Sequence, residues 1–467
     1  MIGEEEFSER YSELIERAEI SDKRYPIKGM NVWLPYGWKL MLNIDNLIRE
    51  ELDKKKYREV MFPALITKEQ FSKEKGHIKG FDAQVYWVTK GGTTELESPL
   101  LLRPTSETAM YSMFSLWIRS HADLPLKLYQ LVNVYRYETK QTRSFIRVRE
   151  IHFFEAHTCH DSFEQAEEQI KEYFEIIKKI MEKLCIPYLA TKRPDWDKFP
   201  GAYYSIGFDT LMPTGKTLQV ASVHQYKENF SKVYNIKYET VTGEHKYVHQ
   251  TTYGMSERLV GAIIGLHSDE RGLALPPAIA PIQVVIVPIH NKQERILKEA
   301  DSVKRELESN NFRVELDSRA ELTPGSKFYY WELRGVPLRI ELGARELAAN
   351  EISFVKRTSK ERIVCKRDKL VESARALLRE LEEELSLRAK NFLENNIKSA
   401  TSIEELSENA IYKVLWCGEK ECALELESRT NFKTLGLELA VAAFENGEKC
   451  LNCSKPAKST IYLAKTY

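Results

Sequence analysis

Two spacings of apolar residues alternate along the chain. Leu128 to Tyr135 alternates apolar and polar positions, a polar basic segment follows from Thr139 to Ser144, and Phe145 to Phe154 alternates again. Alternation, loop and alternation predict an antiparallel hairpin. Side chains two apart share a strand face, so Arg136 and Glu138 should point the same way, with Arg147 and Arg149 available from the return strand. Met41, Ile44, Leu47, Ile48 and Leu52 fall at helical spacing between residues 36 and 55. Tyr57 to Phe62 then reads as a strand stopped by Pro63, since proline cannot donate to a ladder. Residues 75 to 92 read as a loop and Leu100 to Arg103 as a short strand, followed by a helix from Ser106 to about Ile118. Residues 162 to 184 form an amphipathic helix with Phe163, Ile170, Phe174, Ile177 and Ile180 on one side. Strands are expected at Thr217 to Val223 and Thr251 to Met255, and a helix from Glu257 to Leu266.

The pattern changes at Pro276-Pro277-Ala278-Ile279-Ala280-Pro281, a stiff connector and a domain boundary. Beyond it, strands (Gln283 to Pro288, Phe312 to Leu316, Leu338 to Leu342, Glu351 to Lys356) alternate with helices, the first from Lys292 to Ser309. That order predicts a compact α/β unit. A charged helix from about Asp368 to Asn395 leads into the tail. The expected domains are 1–276, 282–367 and 368–467.

At 467 residues the chain exceeds a single core. Hydrophobic content of 43% and charged content of 30% are those of an ordinary globular protein. The formal net charge is zero, so any nucleic-acid contact must use local patches such as Lys356, Arg357, Lys360, Arg362, Lys366, Arg367 and Lys369. A solvated charged surface is the alternative there. The acidic N-terminus lacks the apolar core of a signal peptide, and no apolar run nears the roughly 18 residues of a membrane helix. The chain reads as cytoplasmic.

Candidate chemistry gathers at two places. Several arginines and a carboxylate on one sheet floor suit a polyphosphate and a nucleobase, though a surface ion-pair lattice has the same composition. Four of the seven cysteines form close pairs, Cys417/Cys422 and Cys450/Cys453, with Gly418 and Gly447 beside them. Four thiolates suit closed tetrahedral zinc; two disulfides are disfavoured in a reducing compartment.

These pieces, in this order, resemble the motifs of class II aminoacyl-tRNA synthetases. The helix and strand ending at Pro63 resemble motif 1, the Arg136-Tyr137-Glu138 hairpin motif 2, and Gly254-Met255-Ser256-Glu257-Arg258 motif 3. Arg103-Pro104-Thr105-Ser106-Glu107 looks like the proline-binding loop of prolyl-tRNA synthetases. Leu218 to His224 is similar to a strand of the same enzymes. The paired cysteines and the terminal Tyr467 resemble their archaeal and eukaryotic-type branch.

The resemblance implies an antiparallel-sheet catalytic domain, an α/β anticodon-binding domain and a small C-terminal zinc-binding α+β domain. It implies ligation of proline to tRNA(Pro) through a prolyl-adenylate. Arg136 and Arg258 would be catalytic. ATP would meet Arg136, Glu138, Arg147, Gln219, Ser256, Glu257 and Arg258, and proline would meet Thr105, Glu107, Arg136, Phe153, His157 and His224. Mg2+ would accompany ATP, and Cys417, Cys422, Cys450 and Cys453 would hold a structural Zn2+. A homodimer through the motif 1 region and a terminal carboxylate folded back towards the active site are also implied. Many relatives stack an aromatic on adenine where this chain has Ile151. From spacing alone, Thr105 and Glu107 read equally as a helix start. Two alternatives stand beside this reading: a threonyl- or seryl-type enzyme, and a non-catalytic paralogue that binds RNA.

Overall fold

The computed structural model describes residues 2–73, 81–289, 293–359, 361–407, 409–439 and 448–467. Lys360, Gly447 and residues 75–80 of the expected loop lie outside the described residues. Helix α1 (Glu4–Arg17) buries Phe7, Tyr11, Leu14 and Ile15, one stripe at helical spacing. Helix α2 (Pro35–Asp53) opens on proline, which suits the first helical turn, and buries Leu40, Met41, Ile44, Ile48 and Leu52. The strand expected at Tyr57 to Phe62 shrinks to β1 (Arg58–Glu59), which runs parallel to β2 (Leu126–Tyr135). Helix α3 (Glu107–Trp117) lies between them in sequence.

The return strand of the expected hairpin starts five residues later than the alternation suggests, as β3 (Glu150–His160). Phe145, Ile146 and Val148 are buried, but through a turn rather than a strand. Ile146 and Arg147 both donate their amides to Arg143 O, and Phe145 holds a left-handed φ of +62° against Trp33. Arg147 and Arg149 therefore rise from the loop between β2 and β3.

Helix α4 (Phe163–Lys183), then β4 (Leu189–Lys192), β5 (Tyr204–Leu211), β6 (Thr217–Lys227), β7 (His249–Ser256) and helix α5 (Arg258–Leu266) complete the first unit. Apolar residues of α1, α2, α4 and α5 share one core with the back of this sheet. The opposite face of the sheet is left for a ligand.

A second core surrounds strands β8 (Val284–Pro288), β9 (Val314–Leu316), β10 (Leu338–Leu342), β11 (Glu351–Lys356) and β12 (Arg362–Lys366). Their order is β9-β8-β10-β11-β12, parallel among the first three and antiparallel after. The basic segment expected to face RNA is already neutralised within the chain. Lys356 pairs with Glu380 and Glu384, Arg357 with Asp269, and Arg362 with Glu341. Lys366 pairs with Glu351, Arg367 with Glu299 and Glu306, and Lys369 with Glu372. Arg362, Lys366 and Lys369 stay about half exposed or more within these pairs, which therefore lie on the surface.

Helix α6 (Glu294–Ser309) flanks this second sheet, and helix α7 (Pro324–Leu333) follows β9. Helix α8 (Leu370–Glu394) buries Leu370, Ala374, Leu377 and Leu378 in the second core. Further along, Leu381 and Leu385 meet Cys185 and Ala274, and Leu393 meets Leu211 and Ile411. The tail adds strands β13 (Ile397–Ser399), β14 (Ile411–Trp416), β15 (Lys433–Leu437) and β16 (Ser459–Ala464), with a helix over Lys420–Thr430. These strands extend the first sheet through β15 and β4, giving the order β13-β14-β16-β15-β4-β5-β6-β7-β3-β2-β1. No helix among the described residues is long and apolar enough to cross a membrane.

Candidate active site

A cavity of about 570 Å³ opens on the ligand face of the first sheet. That volume lies within the range of small-molecule sites. Its wall includes Arg136, Arg147 and Arg258, from a loop, the same loop and the first residue of α5. Arg136 donates Nε to Pro104 O at 3.0 Å, and Arg258 donates Nε to Ile146 O at 3.0 Å and Nη1 to Gln219 O at 3.3 Å. Neither has a carboxylate at ion-pair distance among the described residues. Burial pushes the Arg258 guanidinium down to about 10, and repulsion from Arg147 and Arg136 adds to it. Burial lowers Arg136 too, while Glu107 and Glu155 oppose the shift. Two half-buried cations with only neutral hydrogen-bond partners are costly unless an anion completes the site.

Around them the expected nucleotide residues converge. Glu138 accepts from Arg147 Nη1 at 2.7 Å and from Lys140 N at 2.9 Å. Burial raises its carboxyl, but these bonds outweigh it and leave a net lowering. Gln219, Ser256, Glu257 and Ile151 line the same wall. Glu257 Oε2 accepts from His152 N, and burial lifts its carboxyl to about 7. His152 in turn reaches Asp45 of α2 through Nε2 at 3.0 Å, so motif 1 supports motif 3 through motif 2.

At the other end of the cavity lie Thr105, Glu107, Phe153 and His224. Thr105 Oγ1 donates to Glu107 Oε2 at 2.5 Å, and Tyr226 OH donates to Glu107 Oε1 at 2.8 Å. The neighbouring Ser106 does not cap α3; its hydroxyl goes to Glu155. Thr105 and Glu107 thus line the cavity while Glu107 also opens the first turn of α3. Ser205, directly opposite His224 in the β5–β6 register, accepts from Phe199 N at 3.0 Å. Its hydroxyl also meets His224 Nδ1 at 2.8 Å, a contact in which either partner can donate. Burial pushes His224 down to about 4, so the ring is neutral at pH 7.

His157 differs from the other expected proline contacts. It is fully buried and absent from the cavity wall, with Nδ1 3.0 Å from Tyr111 OH and Nε2 3.1 Å from Glu155 Oε2. It stands on the same strand face as Phe153 but one layer deeper, under Glu155. Glu155 itself lines the cavity, and sequence reasoning passed over it. Burial raises it, yet bonds from His157, Ser106 and Gln130 hold it below the usual range. A lone carboxylate between Phe153 and His157 in an alternating strand was the available signal. Arg193, Ser205 and Phe199 also line the wall, with no local signal to mark them. Tyr467 packs beside the loop, its ring 5.3 Å from the Arg143 guanidinium and its OH 2.8 Å from Thr214 Oγ1.

The second cluster lies in the tail, in an apolar cluster against which Trp196 of the cavity wall packs. The sulfurs of Cys417, Cys422, Cys450 and Cys453 all lie within 4.8 Å of one another. All four are free thiols, with Cys422 and Cys450 3.6 Å apart. Gly418 turns the chain beside Cys417 at φ +87°. Burial raises Cys450, but backbone amides of Cys453, Asn452 and Cys417 bring it to about 7. Four soft donors at this spacing, with amides aimed at one sulfur, fit a closed zinc site.

Comparison with known proteins covers the whole chain. Residues 86–267 match the family model of the tRNA synthetase class II core domain (G, H, P, S and T). Residues 283–377 match an anticodon binding domain, and residues 401–467 the C-terminal domain of prolyl-tRNA synthetase. The chain is 54% identical to a proline–tRNA ligase of Thermococcus kodakarensis, over 99% of its length and 98% of the relative's. It is 51% identical to one of Thermoplasma acidophilum, over 98% of each. A solved structure of Giardia lamblia prolyl-tRNA synthetase in complex with prolyl-adenylate superposes with a TM-score of 0.95, at 35% identity, over 99% of this chain and 98% of that one.

Proposed function

The chain belongs to the prolyl-tRNA synthetases of class II, and on that premise we infer how its residues perform the reaction. It ligates L-proline to tRNA(Pro) with ATP in two steps, through a prolyl-adenylate. The threonyl- or seryl-type reading and the silent paralogue are not favoured. The nucleophile of the first step is the proline carboxylate, already an anion at neutral pH. No general base is needed; the task is to bring two anions together and to hold the charge that develops at the α-phosphorus.

Arg136 bridges the proline carboxylate and the α-phosphate. Arg258 lies against the adenine and phosphates from the far wall, and Arg147 takes the outer phosphates. Glu138 accepts from the adenine amine, with Ile151 giving apolar contact in place of a stacked ring. Gln219, Ser256 and Glu257 complete the nucleotide contacts. Thr105 and Glu107 accept from the proline ammonium, and Phe153 walls the ring. His224, neutral at pH 7, stands at the proline end of the cavity. His157 acts one layer back, by holding Glu155. Magnesium bound with ATP supplies further neutralisation of the phosphates. Cys417, Cys422, Cys450 and Cys453 would hold a structural zinc in the tail. A cluster of four reduced thiols fits a reducing compartment such as the cytoplasm.

Adenylation is assigned to residues 1–276 and anticodon binding to 282–367, with 368–467 carrying the zinc; α8 spans all three. A homodimer through the motif 1 region is supported by exposed apolar side chains beside Pro63. Met61 is 88% exposed, and Leu65, Leu116 and Trp117 are exposed near it.

One observation carries the catalytic reading: Arg136 and Arg258 face one cavity without a carboxylate partner. Arg136→Ala should cut proline-dependent pyrophosphate exchange by the equivalent of about 3–4 kcal/mol, as for loss of one donor in comparable sites. Binding of an anticodon stem-loop should stay near that of the parent. Equal loss of both would make Arg136 scaffolding rather than catalysis.

A further inference from the structure

We propose that Arg193 is a positioning residue for the nucleotide: it sets the orientation of the Gln219 amide, and the C-terminal strand β15 sets Arg193. Arg193 follows β4 and crosses the ligand face of the sheet, buried, to the cavity wall. Its Nη1 donates to Leu435 O of β15 at 2.5 Å. Its Nη2 donates to Asp209 Oδ2 at 2.7 Å and to Gln219 Oε1 at 3.2 Å. The guanidinium has no acceptor atoms, so Gln219 must present its oxygen to it. The amide NH2 is then the group left for a ligand; among the described residues its partner is Ala221 O at 3.5 Å, the limit of a hydrogen bond. A donor at that point suits a ribose hydroxyl or a phosphate oxygen.

The surrounding backbone is shaped for this path. The β5–β6 register shifts at Phe208/Asp209, which brings Asp209 opposite Gln219. At Gly207 a Cβ atom would stand 2.1 Å from Arg193 Nη2, so only glycine lets the guanidinium pass. From the other side Arg258 donates to the Gln219 main-chain oxygen. Gln219 is thus held at its backbone by motif 3 and at its side chain by Arg193. A second contact joins the same units: Trp196, on the cavity wall, meets Trp416, the residue before Cys417, with ring centres 5.9 Å apart. The tail is therefore built into the nucleotide wall through backbone and ring contacts near its thiol cluster.

The proposal rests on Gln219 touching the nucleotide, and a double-mutant cycle tests the two separately. Pyrophosphate exchange is measured for Arg193→Lys, Gln219→Ala and the double variant, with KM for ATP and for proline, and with calorimetric ATP binding in the absence of proline. Lysine keeps a charge for Asp209 but cannot fork to three acceptors. Each single variant is expected to raise the KM for ATP about tenfold, with the KM for proline little changed, and the double variant to match Gln219→Ala. Additive effects, or equal rises in both KM values, would overturn the proposal while leaving Gln219 on the nucleotide. An unchanged KM for ATP in Gln219→Ala would overturn the Gln219 reading and the proposal with it. If Arg193→Lys does not fold, Arg193→Gln with Asp209→Asn removes both buried charges together and gives the same readouts.

Discussion

Glu257 shows how the site trades stability for chemistry. Its carboxyl is buried against the start of α5, and that burial lifts it from 4.5 to about 7. Between those values the folded protein keeps a proton that the unfolded chain has lost. Folding stability therefore falls as pH rises through this window, by about 3 kcal/mol once the carboxyl is ionised in both states. Below pH 4.5 the group contributes no difference. Glu257→Gln keeps an acceptor for His152 N without the charge. The variant should melt above the parent at pH 8, with the gap closing towards pH 4.5, and should lose pyrophosphate exchange. A gap that is constant with pH would show that Glu257 is ionised at no unusual cost. His224 shifts the other way for the same reason: burial lowers it and keeps the ring neutral, with Ser205 Oγ at Nδ1. A neutral ring adds no charge to a wall that already holds four arginines, Arg136, Arg147, Arg193 and Arg258.

Elements position these residues, and the closest approach between elements is at Gly37. A Cβ there would stand 2.0 Å from Ile20 O and 2.8 Å from Ile20 Cα, backbone atoms that cannot swing away. Alanine gains about 1 kcal/mol over glycine inside a helix. The clash costs about 1–3 kcal/mol or more, because the α1–α2 connection must move. Gly37→Ala should therefore lower the thermal midpoint, and a rise would show that the connection yields freely. The shift would also reach Asp45 and, through His152, Glu257. Much of this arrangement was legible from periodicity: α2, α4, α5 and four of the five strands of the second sheet fall within a few residues of their patterns, while β12 was read only as a basic stretch. The stripe of Phe7, Tyr11, Leu14 and Ile15 was equally periodic and was passed over as an acidic terminus. The return strand was drawn too early, because Phe145, Ile146 and Val148 mimic alternation while burying themselves through a turn. Motif residues such as Arg136, Glu138 and Arg258 carried their own signal. Arg193, Ser205 and Leu435 did not, since each matters only through a partner on another strand.

At the scale of the whole molecule, the question is how an anticodon unit is held against a cavity far from its own sheet. Helix α8 runs past all three apolar clusters, and two ion pairs join the first two units: Arg334 with Glu19, and Arg357 with Asp269. Asp269, three residues beyond α5, meets Arg357 of the second unit with Oδ2 2.8 Å from Nη1 and Oδ1 2.5 Å from Nη2. The Arg357 side chain is fully buried, and Arg271 donates to its main-chain oxygen at 3.0 Å. Removing one member of such a pair strands the other charge, at a cost of about 3 kcal/mol; the partial exposure of Asp269 keeps it at the low end. Asp269→Asn should leave proline-dependent pyrophosphate exchange within about twofold, because the cavity wall does not include this joint. Charging of tRNA(Pro) should fall at least tenfold, since the acceptor end must reach the adenylate while the anticodon is held, and small displacements are costly there. Aminoacylation and exchange assays on one preparation separate the cases. Unchanged charging would mean α8 and the Glu19–Arg334 pair fix the units without Asp269, and an equal loss of exchange would mean Asp269 acts back through α5 on Arg258.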